Sequence, residues 1–270
     1  MPSVDKEKSN EILYRLKIKT MPKRRMIIGD VHGHYDGMMT LLDHLSPGAD
    51  DEVYFLGDLI DRGPKSAQVV EFVKNSPYHC LMGNHEQLML SALPKEGQNP
   101  PAWQAWLYSG GQTTIASYQD AQMMPREHLE WMRSLPTHLD LGDLWLVHAG
   151  VAPDIPLEKQ TASEFCWIRR EFHNIPKPYF SDKLIIIGHT ITFTFNGIEP
   201  GTLVEGQGWL GIDTGVYHPK SGWLTGLDIT ERKVYQVNIW HQESRVLPLD
   251  EVVNRLKPAS LLSRLRYARS

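Results

Sequence analysis

Short apolar runs alternate with amphipathic stretches through the first part of the chain. The runs RMII, EVYFLG and YHCLMG have the length and β-branched or aromatic content of buried strands. Between and after them, apolar residues recur three and four positions apart. In HYDGMMTLLDHL this spacing puts Met38, Leu41, Leu42 and Leu45 on one face of a helix, and KSAQVVEFVKN and HEQLMLSAL repeat the pattern. The polar segment SPGADD reads as the turn after the first helix. The order β-α-β-α-β predicts a parallel sheet with helices covering its faces. From Pro94 to Leu135 the pattern becomes helical and aromatic, and Trp103, Trp106, Trp131 and Met132 are expected to pack together as a helical insertion. Short strands follow at THLDL, LWLVHAG, KLIIIGHT, WLGIDTG, LTGLDI and KVYQVNIW.

This pattern divides the chain into a polar N-terminal extension (1–24), one domain over 25–240 with the helical insertion near 94–135, and a basic C-terminal extension (241–270). A length of 270 residues suits one large domain. A net charge of −4 argues against non-specific nucleic-acid binding as the main role, and no apolar run is long enough to span a bilayer. The charged N-terminus lacks an apolar signal segment, so a cytoplasmic location is expected. Cys80 and Cys166 sit in apolar surroundings, where unreactive buried thiols are expected rather than a disulfide or a nucleophile.

Chemistry enters at the strand ends. IIGDVHG closes the first strand on Asp30 and His32, and FLGDLIDRG the second on Asp58, Asp61 and Arg62. LMGNHE closes the third on Asn84 and His85, LVHAG ends on His148, and IIGHT on His189. Sites in open α/β sheets form at the carboxyl ends of strands. Asp30, His32, Asp58, Asn84, His148 and His189 make a donor set of oxygen and nitrogen without thiolate, which suits manganese, iron or zinc. Six donors exceed the needs of one open catalytic ion and suit two ions sharing a bridging carboxylate. The flanking glycines allow sharp turns beside such ions.

The run GDVHG, GDLIDRG and GNHE, followed by HAG and GHT, resembles the calcineurin-like metallophosphoesterases, and more closely the bacterial branch of the phosphoprotein phosphatase family that includes lambda phosphatase-like serine/threonine protein phosphatases. The resemblance spans Arg25 to Trp240. It implies an α/β fold, a metallophosphoesterase-type β-sandwich of two mixed sheets flanked by helices. It also implies two divalent ions, with manganese the expected ion in vitro and iron or zinc as alternatives. In that family's arrangement Asp30 and His32 would hold the first metal, Asp58 would bridge, and Asn84, His148 and His189 would hold the second. A hydroxide between the ions would be the nucleophile. His85 would be the general acid, oriented by Asp61, and Arg62 and Arg169 would bind phosphate oxygens together with Asn84. Arg170 is read as a solvated neighbour of Arg169. Asp213 in GIDTG is read as either a turn residue or a neighbour of the site, and Asp36 as a helix-start residue. One departure stands out: Met82 precedes GNHE where lambda phosphatase-like enzymes tend to carry arginine.

The same residues leave the substrate open. A serine/threonine protein phosphatase acting on a phosphoprotein or a small phosphorylated substrate is favoured by Glu86 and Asp61. A symmetrical dinucleoside tetraphosphatase is the alternative, favoured by the helix start RGPKSAQVVEFVK. A non-catalytic binding module is disfavoured, because every ligand position is filled. At the C-terminus, Leu261, Leu262 and Leu265 with Arg264, Arg266 and Arg269 read as a solvated tail, with weak docking to an acidic partner or membrane surface as the sharper alternative.

Overall fold

The first strand, β1 (Arg25–Ile28), is apolar because both of its faces are covered, the usual condition of a parallel strand inside an α/β protein. Met26 and Ile28 point to one side and Ile27 to the other, and all three are fully buried. A computed structural model describes residues 23–97 and 99–256; the leucine- and arginine-rich stretch at 261–269 and most of the N-terminal extension lie outside the described residues.

β1 pairs in parallel with β2 (Glu52–Phe55), which pairs in parallel with β3 (His79–Cys80). On its other edge β1 runs antiparallel to a strand from far along the chain. The remaining strands are β4 (His138–Asp140), β5 (Leu144–Val147), β6 (Leu184–Ile187), β7 (Leu203–Glu205), β8 (Trp209–Gly211), β9 (Trp223–Asp228), β10 (Lys233–Asn238), β11 (Glu243–Pro248) and β12 (Val253–Arg255). They complete two six-stranded mixed sheets, β11-β10-β9-β1-β2-β3 and β12-β7-β8-β6-β5-β4. Three helices cover the first sheet's motif strands: α1 (Tyr35–Leu45), α2 (Ser66–Asn75) and α3 (Asn84–Ala92). The expected face of α1, Met38, Leu41, Leu42 and Leu45, is the buried one.

The apolar core has three layers. Between the sheets lie Ile27, Tyr54 and Leu56 from one side with Leu144, Leu146, Ile186 and Leu210 from the other. The outward faces pack on helices, Met26 and Ile28 against α1 in one outer layer and Trp145, Val147, Ile185 and Trp209 in the other. Strict alternation along β5 and β6 therefore feeds two layers from one apolar run. The sandwich of two mixed sheets with flanking helices agrees with the sequence expectation. The insertion between β3 and β4 is helical too, built from α4 (Pro100–Trp106), α5 (Gln112–Ser117) and α6 (Arg126–Arg133).

One boundary needs correction. The folded unit does not stop at Trp240, because β11 extends the first sheet and β12 the second. Between them Leu249 and Val252 insert into the layer between the sheets. β11 alternates exposed and half-buried residues, the signature of an edge strand rather than of a tail. Among the described residues no helix is long and apolar enough to cross a membrane.

Leu249→Ala should therefore behave as a core truncation and lower unfolding free energy by about 2–5 kcal/mol. Urea denaturation followed by fluorescence measures this. A loss within about 0.5 kcal/mol, as for a surface site, would place Leu249 outside the core.

Candidate metal centre and phosphate site

Each sheet has a run of three mutually parallel strands, β1, β2 and β3 in one and β5, β6 and β8 in the other. The residues after these strands meet at one end of the sandwich. They bring together Asp30, His32, Asp58, Asn84, His148 and His189, none more than 6% exposed. The two sheets are stitched here by polar contacts. The His189 amide donates to both Asp30 carboxylate oxygens (3.1 and 3.2 Å), and His148 Nδ1 donates to the Leu56 carbonyl (2.8 Å). The backbone is bent sharply to achieve this. His32, Asp58, Asp61, Arg62 and His189 all have φ between 45° and 71°, a region that costs an L-residue of order 1–3 kcal/mol and persists where the surroundings impose it.

The orientation of the donors fits cations. His32 Nδ1 donates to the Ile60 carbonyl (2.9 Å), which fixes its Nε2 as the acceptor. That Nε2 sits 3.7 Å from Asp58 and 4.0 Å from Asp30. His148 Nε2 lies 3.4 Å from Asp58 and 3.0 Å from Asn84 Oδ1, which also meets His189 Nδ1 at 2.8 Å. The buried Nε2 of His189 has no hydrogen-bond partner. Two overlapping groups of close donors result, His32–Asp58–His85 and Asp58–His148–His189, so Asp58 belongs to both, as a bridge must. Asp30 stands at the margin of the first group, engaged by the His189 amide.

Electrostatics tell the same story. Burial and the nearby Asp213 push Asp30 well above the usual carboxylate range. Burial, with Arg62 and His85, pushes His32 well below the usual imidazole value, and burial with His148 does the same to His189. His148 goes the other way: burial opposes its charge, yet Asp58 and Asp30 raise it to about 9. A carboxylate pushed up by its neighbours and an imidazole pushed up by carboxylates mark a cluster short of positive charge, which divalent cations would supply.

Beside this cluster lies a cavity of about 170 Å³ lined by Asp58, Asn84, His85, Arg62, Arg169 and Tyr217, among others. Arg62 places Nη1 2.6 Å from His32 Nε2 and its guanidinium 4.1 Å from the centre of the Tyr217 ring. Arg169 donates to Thr190 Oγ1 (2.8 Å) and to the His189 carbonyl (3.3 Å). Arg170 is exposed at the start of a short helix and does not line the cavity. His85 is buried, with Nδ1 2.6 Å from Asp61. Every residue named from the sequence for the metals, the acid and the phosphate is thus found at this one end of the fold. Asp213 fills both of its readings: it accepts the Gly215 amide in a turn (2.9 Å) and, buried near Asp58 and Arg62, is raised to about 6, chiefly by burial. Cys80 and Cys166 are buried free thiols pushed up by burial, as expected of unreactive ones.

Sequence reasoning missed the supporting contacts of three residues, Glu86, Tyr217 and Trp106. Glu86 accepts the amides of Asp58 (2.9 Å), Leu59 (2.8 Å) and Gly83 (2.9 Å), tying the second strand's end to the start of α3. Its place three residues after the helix cap is a readable capping signal. Tyr217 and Trp106, which bonds Asp61, carry no local signal.

Metal analysis of the purified protein should find about two divalent ions per chain after manganese loading. Asp58→Asn should lower that occupancy, since one side chain serves both groups. Arg62→Ala and Arg169→Ala should keep full occupancy but weaken inhibition by inorganic phosphate. Undiminished metal in Asp58→Asn would show that Asp58 is not the bridge.

Comparison with known proteins agrees with the geometry. Curated relatives include the symmetrical bis(5'-nucleosyl)-tetraphosphatase of Salmonella paratyphi C, 33% identical over 143 residues covering 51% of this chain and 46% of that protein. The enzyme of the same name from Shigella dysenteriae is 30% identical over 167 residues, 58% of this chain and 54% of that one. The chain spans about half the length of these relatives. Among solved structures, a protein-tyrosine phosphatase of a Shewanella species superposes with a TM-score of 0.51 at 17% identity, covering 83% of this chain and 80% of that one. A metallophosphoesterase from Sphaerobacter thermophilus gives 0.50 at 20% identity, covering 92% and 94%. These likenesses show the shared fold. The family model described as calcineurin-like phosphoesterase matches residues 23–224, the span that carries every ligand strand, and the chain belongs to that family.

Proposed function

We propose that this phosphoesterase hydrolyses dinucleoside polyphosphates, cutting a phosphoric anhydride symmetrically. The observation that carries this reading is the identity of 30–33% to relatives named symmetrical bis(5'-nucleosyl)-tetraphosphatase. It reverses the order suggested by the motifs, in which a serine/threonine protein phosphatase came first. That second reading keeps one observation in its favour. The Asp61–His85 pair at 2.6 Å is a built proton donor, and a serine alkoxide needs one far more than a leaving phosphate does.

In either reading Asp30, His32, Asp58, Asn84, His148 and His189 would hold two divalent ions, which when bound activate water and neutralise phosphoryl charge. The chain's own residues do the rest. Arg62 and Arg169 line the cavity with planar donor forks suited to the non-bridging oxygens of a phosphoryl group. The Tyr217 ring steadies the Arg62 guanidinium. His85, held through Nδ1 by Asp61, presents Nε2 to the cavity and gives its proton to the leaving oxygen as the P–O bond breaks.

The test offers diadenosine tetraphosphate, a phosphoserine peptide and p-nitrophenyl phosphate side by side with Mn²⁺. The tetraphosphate should show the highest kcat/KM and yield ADP alone. His85→Asn should lower turnover of the phosphoserine peptide about 10²-fold or more while costing the tetraphosphate much less. Preferred turnover of the peptide, with an inert tetraphosphate, would put the protein phosphatase reading first.

A further inference from the structure

The helical insertion reaches back into the site through two side chains. Asp61 is fully buried, and its carboxylate is bound by three residues. Oδ2 faces His85 Nδ1 (2.6 Å), Oδ1 accepts the Thr114 hydroxyl (2.7 Å), and the Trp106 indole N–H lies across both oxygens (3.0 and 3.1 Å). Trp106 closes α4 and Thr114 sits in α5, both 0% exposed. Neither belongs to a strand-end motif.

The same insertion holds the backbone of the loop. The Asp61 amide donates to Thr114 Oγ1 (2.8 Å) and to Ser66 Oγ (3.1 Å), and the Arg62 amide donates to the Gly110 carbonyl (3.2 Å). Asp61 and Arg62 are consecutive left-handed residues, with φ of 71° and 69°, and such a pair needs outside support to persist. The adjoining Gly110–Gly111 pair makes the approach possible. A Cβ on Gly110 would lie 2.8 Å from Arg62 Cγ, and one on Gly111 2.6 Å from the Trp106 ring.

We propose that Trp106 and Thr114 are positioning residues for protonation of the leaving group. They fix the plane of the Asp61 carboxylate, which in turn fixes the His85 ring so that its Nε2 faces the phosphate cavity. Removing either donor leaves a buried carboxylate oxygen short of a partner, and the ring it steers loses its aim. This rests on the reading of His85 as the acid.

The test compares kcat/KM on phenyl phosphate, whose leaving group needs a proton, with dinitrophenyl phosphate, whose leaving group does not. Trp106→Phe keeps a ring in the pocket and Thr114→Val keeps the side-chain shape; each removes a donor to the Asp61 carboxylate, and in Thr114→Val the Asp61 amide, which also loses an acceptor, retains Ser66 Oγ. Each should lose about tenfold more on the phenyl ester than on the dinitrophenyl ester, a fraction of what a general acid supplies. Thr114→Ser, which retains the hydroxyl, should restore the wild-type ratio. Equal losses on both esters would mean general loosening of the loop and would overturn the proposal, as would a wild-type ratio in both variants. His85→Asn separates the two ideas. A strong leaving-group bias there with none in Trp106→Phe and Thr114→Val removes the positioning role alone. No bias in His85→Asn removes the acid, and the positioning role with it.

Discussion

Asp30 and Asp58 lie in one seam between two sheets, each at most 3% exposed, with the imidazoles of His32, His85, His148 and His189 around them. Taking a carboxylate out of water costs several kcal/mol unless cations or well-aimed donors compensate. That constraint organises the rest. β1, β2 and β3 of one sheet and β5 and β6 of the other end at the seam, each followed by one or two of the candidate donors. The loops adopt left-handed conformations because the side chains must turn back towards one another. Backbone carbonyls of Ile60 and Leu56 take the Nδ1 protons of His32 and His148, turning both Nε2 atoms inward to the cluster. Glu86, itself pushed up to about 7 by burial and by Asp58, holds three amides at the base of the cluster.

Much of this was legible in the sequence because the relevant spacing is local. A strand, a glycine and one or two ligands lie within a few residues of each other, so GDVHG or GNHE announces both an element's end and its chemistry. Five such endings could be matched to one centre without knowing the sheet order. The two mixed sheets came from the resemblance, since periodicity alone implied only the parallel portion. β7, β11 and β12 escaped because short strands with mixed burial have no strong period. Trp106 read as packing because nothing in PPAWQAW reveals a partner forty-five residues earlier in the chain. Its indole does pack, against Trp103 at 5.5 Å between ring centres, but its N–H has a second task.

The site therefore has two tiers. The candidate metal donors are all supplied by strand ends of the two sheets, with none from the insertion. Asp61, the partner of His85, and Arg62 are held by the insertion through Trp106, Thr114 and the Gly110 carbonyl.

The central claim is that the buried cluster is a two-cation site bridged by Asp58. Crystals grown or soaked with Mn²⁺ and measured at the manganese absorption edge test it directly. The account predicts two anomalous peaks roughly 3.5–4 Å apart, with the Asp58 carboxylate between them. A single peak, or two peaks neither of which touches Asp58, would contradict it.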